Sequence, residues 1–208
     1  MDRIILHSDC NNFFASVECA KNPEYKNVPL AVSGDRESRH GIILAKNEIA
    51  KSYGVKFFST SALRYADEIK DFNGEATNAF TTGGGSNMEE YIIHQIEMVV
   101  KCLGVGAEKV CFNKVADCEW VDVVYTNGKS AKMMFAPCMP FAITVTKNDG
   151  KSAYMSINSE FFKGLIADIF NFFQTGDTSF DTNQTLEIMK VREAVIKAKS
   201  EANVWLKV

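Results

Sequence analysis

The 208-residue chain predicts an α+β fold: a short βαββα segment on or beside an open, mainly antiparallel β-sheet with helices on one face. Three observations predict it. Between residues 109 and 158, five stretches of strand length follow one another with turn residues, not helices, between them. Two of the junctions are Asn127-Gly128 and Asp149-Gly150, dipeptides that supply the positive φ of a tight hairpin. Two segments with helical periodicity then close the chain.

Taken in order, residues 3–8 are an apolar run bounded by charge and read as a buried strand. Residues 11–20 put Phe13, Phe14, Val17 and Ala20 on one helical face, closed by Asn22-Pro23. A strand follows at 28–33, a turn at Gly34-Asp35, a strand at 41–44, and a helix at 45–53 that stops at Gly54. Residues 56–60 read as a strand and 62–72 as a helix, while 73–86, rich in Gly, Thr and Asn, reads as a loop. A helix at 88–103 places Tyr91, His94, Gln95 and Met98 on one face. Strands are expected at 109–115, 119–126, 130–136, 141–147 and 153–158. The helix at 160–175 should bury Phe161, Leu165, Ile169 and Phe172. Asp181 or Asn183 caps a last helix carrying Leu186, Met189, Val191 and Val195, and 204–206 form a final short strand.

A hydrophobic share of 46% is enough to build a core. The net charge of −3 has the wrong sign for a chain that grips phosphate backbones, so a nucleic-acid partner is not expected, although Arg36, Arg39, Lys46 and Lys51 form a local basic group. Six cysteines without a CxxC pair, and an opening too short and too charged for a signal peptide, point to reduced, mostly buried thiols in a cytoplasmic protein. The three histidines lie too far apart in sequence for a zinc cluster, and no apolar run reaches the roughly 20 residues of a membrane span.

The stretch His7-Ser8-Asp9-Cys10-Asn11-Asn12-Phe13-Phe14 ends a strand on an acidic residue and begins a helix with aromatic rings. Asp9 and the carbonyl of Cys10 are oxygen donors suited to a divalent cation such as Mg, Phe13 or Phe14 suits the face of a sugar, and Lys46 and Lys51 suit a triphosphate. On residue types alone, the simpler reading is an Asp that caps the following helix. The texts ILHSDCNNFFASVE, PLAV and GIILAKNEIAKSYGV, however, resemble the opening of a Y-family (translesion) DNA polymerase over residues 1–56. The resemblance implies a metal-binding role for Asp9 and Cys10, a steric gate at Phe14 and a triphosphate contact at Lys51. Glu48 stands where many members have a tyrosine, and the second carboxylate motif, Ser-x-Asp-Glu, does not occur in the chain. Two-metal chemistry draws carboxylates from both places, so polymerase activity is not expected.

Residues 57–208 resemble the later part of a Gfo/Idh/MocA-type oxidoreductase, on FFSTSALRYADEIK, GGGSNMEEYIIHQIEMVVKCLG and FFKGLIADIFNFFQTGDTSFDTNQTLEIMKVREAVIKAK. Residues 57–72 then correspond to the end of a dinucleotide-binding domain, and Glu90 and His94 to an acidic residue and a histidine one helical turn apart, with His94 as acid or base toward a substrate hydroxyl. A packed histidine on an amphipathic helix is the alternative. The resemblance implies NAD(P), but the Gly-x-Gly-x-x-Gly of its binding domain is missing. Gly128-Lys129-Ser130 and Gly150-Lys151-Ser152 imitate the end of a P-loop but sit in hairpin turns. The expected whole is a chimera, 1–56 and 57–208, without a complete activity, forming a homodimer through its sheet. The alternative is a divalent-metal and deoxynucleotide-binding fragment related to DNA repair polymerases.

Overall fold

A computed structural model describes residues 22–27, 31–33, 43–46 and 58–208. The chain divides into two compact units, Met1–Phe57 and Phe58–Val208. In the first, a 3-10 turn at Pro23–Asn27 precedes two antiparallel strands, β1 (Ala31–Ser33) and β2 (Ile43–Lys46), registered Ala31 to Lys46 and Val32 to Ala45. The helix expected at 45–53 therefore yields its first two residues to a strand, because Ala45 and Lys46 pair across the ladder. Its remainder, the strand at 3–8 and the helix at 11–20 lie outside the described residues.

The second unit is built on a seven-stranded sheet. Its strands are β3 (Ala76–Gly83), β4 (Ala107–Val115), β5 (Cys118–Tyr125), β6 (Ser130–Phe135), β7 (Ala142–Lys147), β8 (Ser152–Ser156) and β9 (Trp205–Lys207). The spatial order is β8-β7-β3-β6-β5-β4-β9. Every pairing is antiparallel except β3 with β6. Gly128 (φ 82°) and Gly150 (φ 79°) turn β5 into β6 and β7 into β8, the two hairpins the dipeptides announce.

Helices α1 (Met88–Leu103) and α3 (Thr182–Ala198) cover one face of the sheet. Ile92, Ile96, Val99 and Leu103 of α1 and Ile188, Val191 and Val195 of α3 meet Val110, Phe112, Val121, Val123 and Met133 in one buried cluster. Each such side chain removed from water contributes about 1.5–3 kcal/mol. The alternation along β5 shows why the sheet has two characters: Val121, Val123 and Tyr125 are buried while Trp120, Asp122 and Val124 face away from the cluster. On that open face Tyr154, Thr144, Phe80, Lys132, Asp122, Cys111 and Trp205 are successive Cα partners across all seven strands. Phe80, Tyr154 and Trp205 are exposed there, and the Lys132 ammonium bonds Asp122 at 2.9 Å and lies 5.7 Å from the Trp120 ring centre.

Four further expectations are corrected, the last being that the thiols are mostly buried. The stretch 73–86 is not a loop but holds β3, at the centre of the sheet. Its core-facing residues, Ala76, Ala79, Thr81 and Gly83, are small because α1 lies close above them, and that smallness erased the apolar alternation. The strand and helix expected at 56–60 and 62–72 are, within the described residues, an irregular run at 58–60 and two 3-10 turns, Ala62–Tyr65 and Asp67–Ile69. Buried Ala66 between them is extended (φ −61°, ψ 130°), and the Glu68 carboxylate accepts from Asn158 N–H, Ser159 N–H and the Ser159 hydroxyl. Those tertiary bonds anchor the segment, whose own backbone makes i to i+3 bonds such as Ile69 N–H to the Ala66 carbonyl. In α2 (Phe161–Thr175), Phe161, Leu165, Ile169 and Phe172 are only partly covered and the one buried residue is Asp168, while Leu186 of α3 is exposed. Asp181 is the cap of α3, accepting from the Asn183 N–H at 2.9 Å. Of the four described cysteines, Cys102 alone is buried, its thiol pushed up to about 12 by burial.

Candidate functional site

The site grows from the start of α1. Asn87 caps the helix, its side chain accepting from the Glu90 N–H at 2.9 Å. Glu90, in the first turn, is exposed, and its carboxylate lies 3.4 Å from the Ser86 hydroxyl. One turn on, His94 is half-buried between two rings, Tyr91 (centres 5.8 Å apart) and Phe141 (5.8 Å, interplanar angle 88°). Its Nδ1 is 2.7 Å from the Ser61 hydroxyl, which donates or accepts according to the tautomer. Burial holds the imidazole below its ordinary pKa, so it is neutral near neutral pH and suited to accept a proton. No hydrogen bond joins Glu90 to His94 among the described residues.

Ser61 is itself held. Its N–H donates to Glu97 Oε1 at 2.8 Å, the Thr60 hydroxyl lies 3.2 Å from both Glu97 oxygens, and Arg64 Nε donates to Glu97 Oε2 at 2.9 Å. The Arg64–Glu97 side chains are each 3% exposed, a buried ion pair. Burial pushes the Glu97 carboxyl up, and Arg64 with the Ser61 and Thr60 donors pulls it back. Arg64 also donates to Gln184 at 2.6 Å and stacks 4.5 Å from the centre of the Phe180 ring. The Thr185 hydroxyl donates to the Ser59 carbonyl at 3.0 Å. Beside His94, buried Gln95 accepts from the Thr81 hydroxyl at 2.7 Å and donates to the Gly83 and Met134 carbonyls, locking α1 onto β3 and β6.

Sequence reasoning missed Ser61, Arg64 and Glu97. The one available signal was a charged residue, Glu97, inside the apolar run Ile96 to Val100 of a helix. The other expected site residues, Asp9, Cys10, Phe13, Phe14 and Lys51, lie outside the described residues. Among the described residues no group of three His, Cys, Asp or Glu side chains could hold a metal, and no helix is long and apolar enough to cross a membrane. A Cβ placed on Gly83 would meet the Phe141 ring at 2.5 Å, on Gly84 the Ala136 carbonyl at 2.2 Å, and on Gly85 the Tyr91 ring at 2.1 Å. These glycines are filled by the chain's own atoms, so the turn does not fit a pyrophosphate. Lys129, of the P-loop-like tripeptide, gives its ammonium to the Gly74 and Leu103 carbonyls.

Two outcomes follow from the His94 and Glu97 environments. Glu97→Ala strands a buried guanidinium, and urea unfolding should show a loss of about 3–5 kcal/mol; a loss within the ~0.5 kcal/mol of a surface change refutes the buried pair. Because the folded-state pKa of His94 lies below its unfolded value, its contribution is present at neutral pH and is lost as pH falls through about 6.5 toward the folded value. Melting temperature should therefore drop between neutral pH and mild acid, and less so in His94→Gln.

The two parts of the chain find different similarities. A family model described as "IMS: impB/mucB/samB family" matches residues 8–69. DNA polymerase IV of Acetivibrio thermocellus is 61% identical over 56 residues, which are 27% of this chain and 14% of that protein. The chain thus spans about one seventh of the curated relative's length. Among solved structures, a probable dehydrogenase from Thermotoga maritima superposes with a TM-score of 0.61 at 12% identity, over 77% of this chain and 67% of that one. Scyllo-inositol dehydrogenase from Lactobacillus casei, with bound NAD(H) and scyllo-inositol, gives 0.56 at 11%, over 76% and 66%. At such identities the second likeness is one of fold. The chain therefore joins a segment similar in sequence to DNA polymerase IV to a later part that shares its fold with these two dehydrogenases.

Proposed function

We propose that the Phe58–Val208 unit is a substrate-binding and self-associating module that does not run a complete dehydrogenase reaction by itself. The observation that carries this reading is the Gly83–Gly84–Gly85 turn. It leads into the helix of His94, yet Phe141, Tyr91 and the Ala136 carbonyl occupy the space beside it. When bound, a nicotinamide cofactor supplies hydride transfer. The residues of this unit contribute the other half: His94 exchanges a proton with a substrate hydroxyl, Ser61 fixes the ring through Nδ1, and Tyr91 and Phe141 restrict water around it. The bound scyllo-inositol of the Lactobacillus casei enzyme supports a polyol as the ligand class. NADH fluorescence should show no saturable change up to millimolar cofactor; saturation at micromolar cofactor defeats this reading.

Self-association uses the open sheet face, where exposed Tyr154, Phe80 and Trp205 share one row with Lys132 and Asp122. Light scattering should show a particle whose mass falls by half in Tyr154→Arg, whereas an unchanged mass argues against this face.

The 61% identity over 56 residues favours a second reading for the first unit: a divalent-metal and deoxynucleotide site built on Asp9 and Cys10, with Phe13, Phe14 and Lys51 against the nucleotide. Magnesium with a deoxynucleotide should then raise the melting temperature, by about 2.7 kcal/mol of stability at a hundredfold excess over Kd. The same shift in Asp9→Ala, or none in the wild type, rejects it.

A further inference from the structure

Helix α2 carries more apolar surface than the second unit covers. At about 100° per residue, Phe161, Leu165, Asp168, Ile169 and Phe172 fall on one side. That side meets the chain: Asp168 accepts from the Tyr65 hydroxyl at 2.6 Å and the Phe172 ring lies 5.5 Å from that of Phe58. Lys163, Asn171 and Gln174 form a polar side. Between the two run Phe162, Ile166, Phe170 and Phe173, exposed by 62%, 52%, 63% and 76%. Their spacing of i, i+4, i+8 and i+11 makes one stripe about 80° wide and about 16 Å long.

A helix apolar over so wide an arc is ordinarily covered on both flanks. The stripe leaves roughly 500 Å² of apolar surface in water, toward the upper end of the largest apolar patch on a typical monomer. Its geometry selects the occupant. Phe162, Ile166 and Phe170 form an i±4n ridge, and such a ridge seats in the groove beside an identical ridge with the axes crossing at about −50°. A two-fold axis brings the stripe to itself. The two copies then bury roughly 1,000 Å², the least a specific interface requires. The stripe bears no charge, so identical surfaces meet without repulsion.

We propose that the Phe162–Ile166–Phe170–Phe173 stripe of α2 is an isologous interface with a second copy of this chain, distinct from the open sheet face. Light scattering of the full chain across the micromolar range tests it. Ile166→Glu and Phe170→Glu change exposed positions, so each should keep the wild-type far-ultraviolet circular dichroism and halve the mass of the wild-type particle. Lys163→Ala and Gln174→Ala, on the polar side, should leave the mass unchanged. A wild type that is monomeric throughout, or a mass unchanged in both stripe variants, overturns the proposal. Halving by Tyr154→Arg alone assigns association to the sheet and also overturns it; halving by the stripe variants alone supports it and rejects the sheet reading. Amide exchange of the wild type needs no variant: protection of residues 161–175 should rise with protein concentration, and protection independent of concentration overturns the proposal.

Discussion

The Arg64–Glu97 pair organises the second unit around the candidate site. An ion pair with both side chains 3% exposed is costly to bury, and further donors and acceptors drawn to it offset that cost. Glu97 collects the Ser61 N–H and the Thr60 hydroxyl, and Arg64 gives Nη1 to Gln184 and lies over the Phe180 ring, while its buried Nη2 has no hydrogen-bond partner among the described residues. The run from Ser59 into the 3-10 turn at Ala62–Tyr65 is thereby fastened to α1 and α3 by side chains. Ser61 arrives beside His94 as a consequence. The position of the only described histidine thus depends on a charge pair one helical turn away from it, and its proton affinity depends on the burial that the same packing imposes.

The two faces of the sheet differ in character. One face spends its apolar side chains on the cluster with α1 and α3. The other keeps aromatic rings and a Lys132–Asp122 pair in partial contact with water. Helix α2 stands apart from both faces in character. It is tied to the turn at Tyr65 by the Asp168 carboxylate, which also accepts from the Ser179 hydroxyl at 2.5 Å. Burial, with Asp168 beside it, pushes the Tyr65 phenol far above its ordinary value, so that it stays a donor throughout. Gly164 permits this approach, since a Cβ there would lie 2.7 Å from Tyr65 Cβ.

Periodicity and turn chemistry made the hairpins, α1, α2, α3 and the last short strand legible, because each is decided within a few neighbouring residues. Gly128 and Gly150 need positive φ, and Asp181 needs only the amide of Asn183. Strand β3 was illegible for the opposite reason. Its inward side chains are small to admit α1, and its hydroxyls find partners far along the chain, Thr81 with Gln95 and Thr82 with the Pro140 carbonyl. The turns around Ala66 were illegible likewise, since Ala66 is extended and the Glu68 side chain is anchored to residues 158 and 159, far along the chain.

By itself the sequence determined the antiparallel run of strands, because local spacing and turn chemistry carry it; the two-part character of the chain and the interest of His94 rested on resemblance to known families. Only the tertiary structure decided that a polar, glycine-rich stretch lies at the centre of the sheet, that Ser61, Arg64 and Glu97 stand behind His94, and that the Phe162 stripe of α2 faces water. Each of those outcomes depends on partners more than 30 residues apart or on what a neighbouring element covers. Hydrogen bonding and burial at that range leave no periodic trace in one chain of residues.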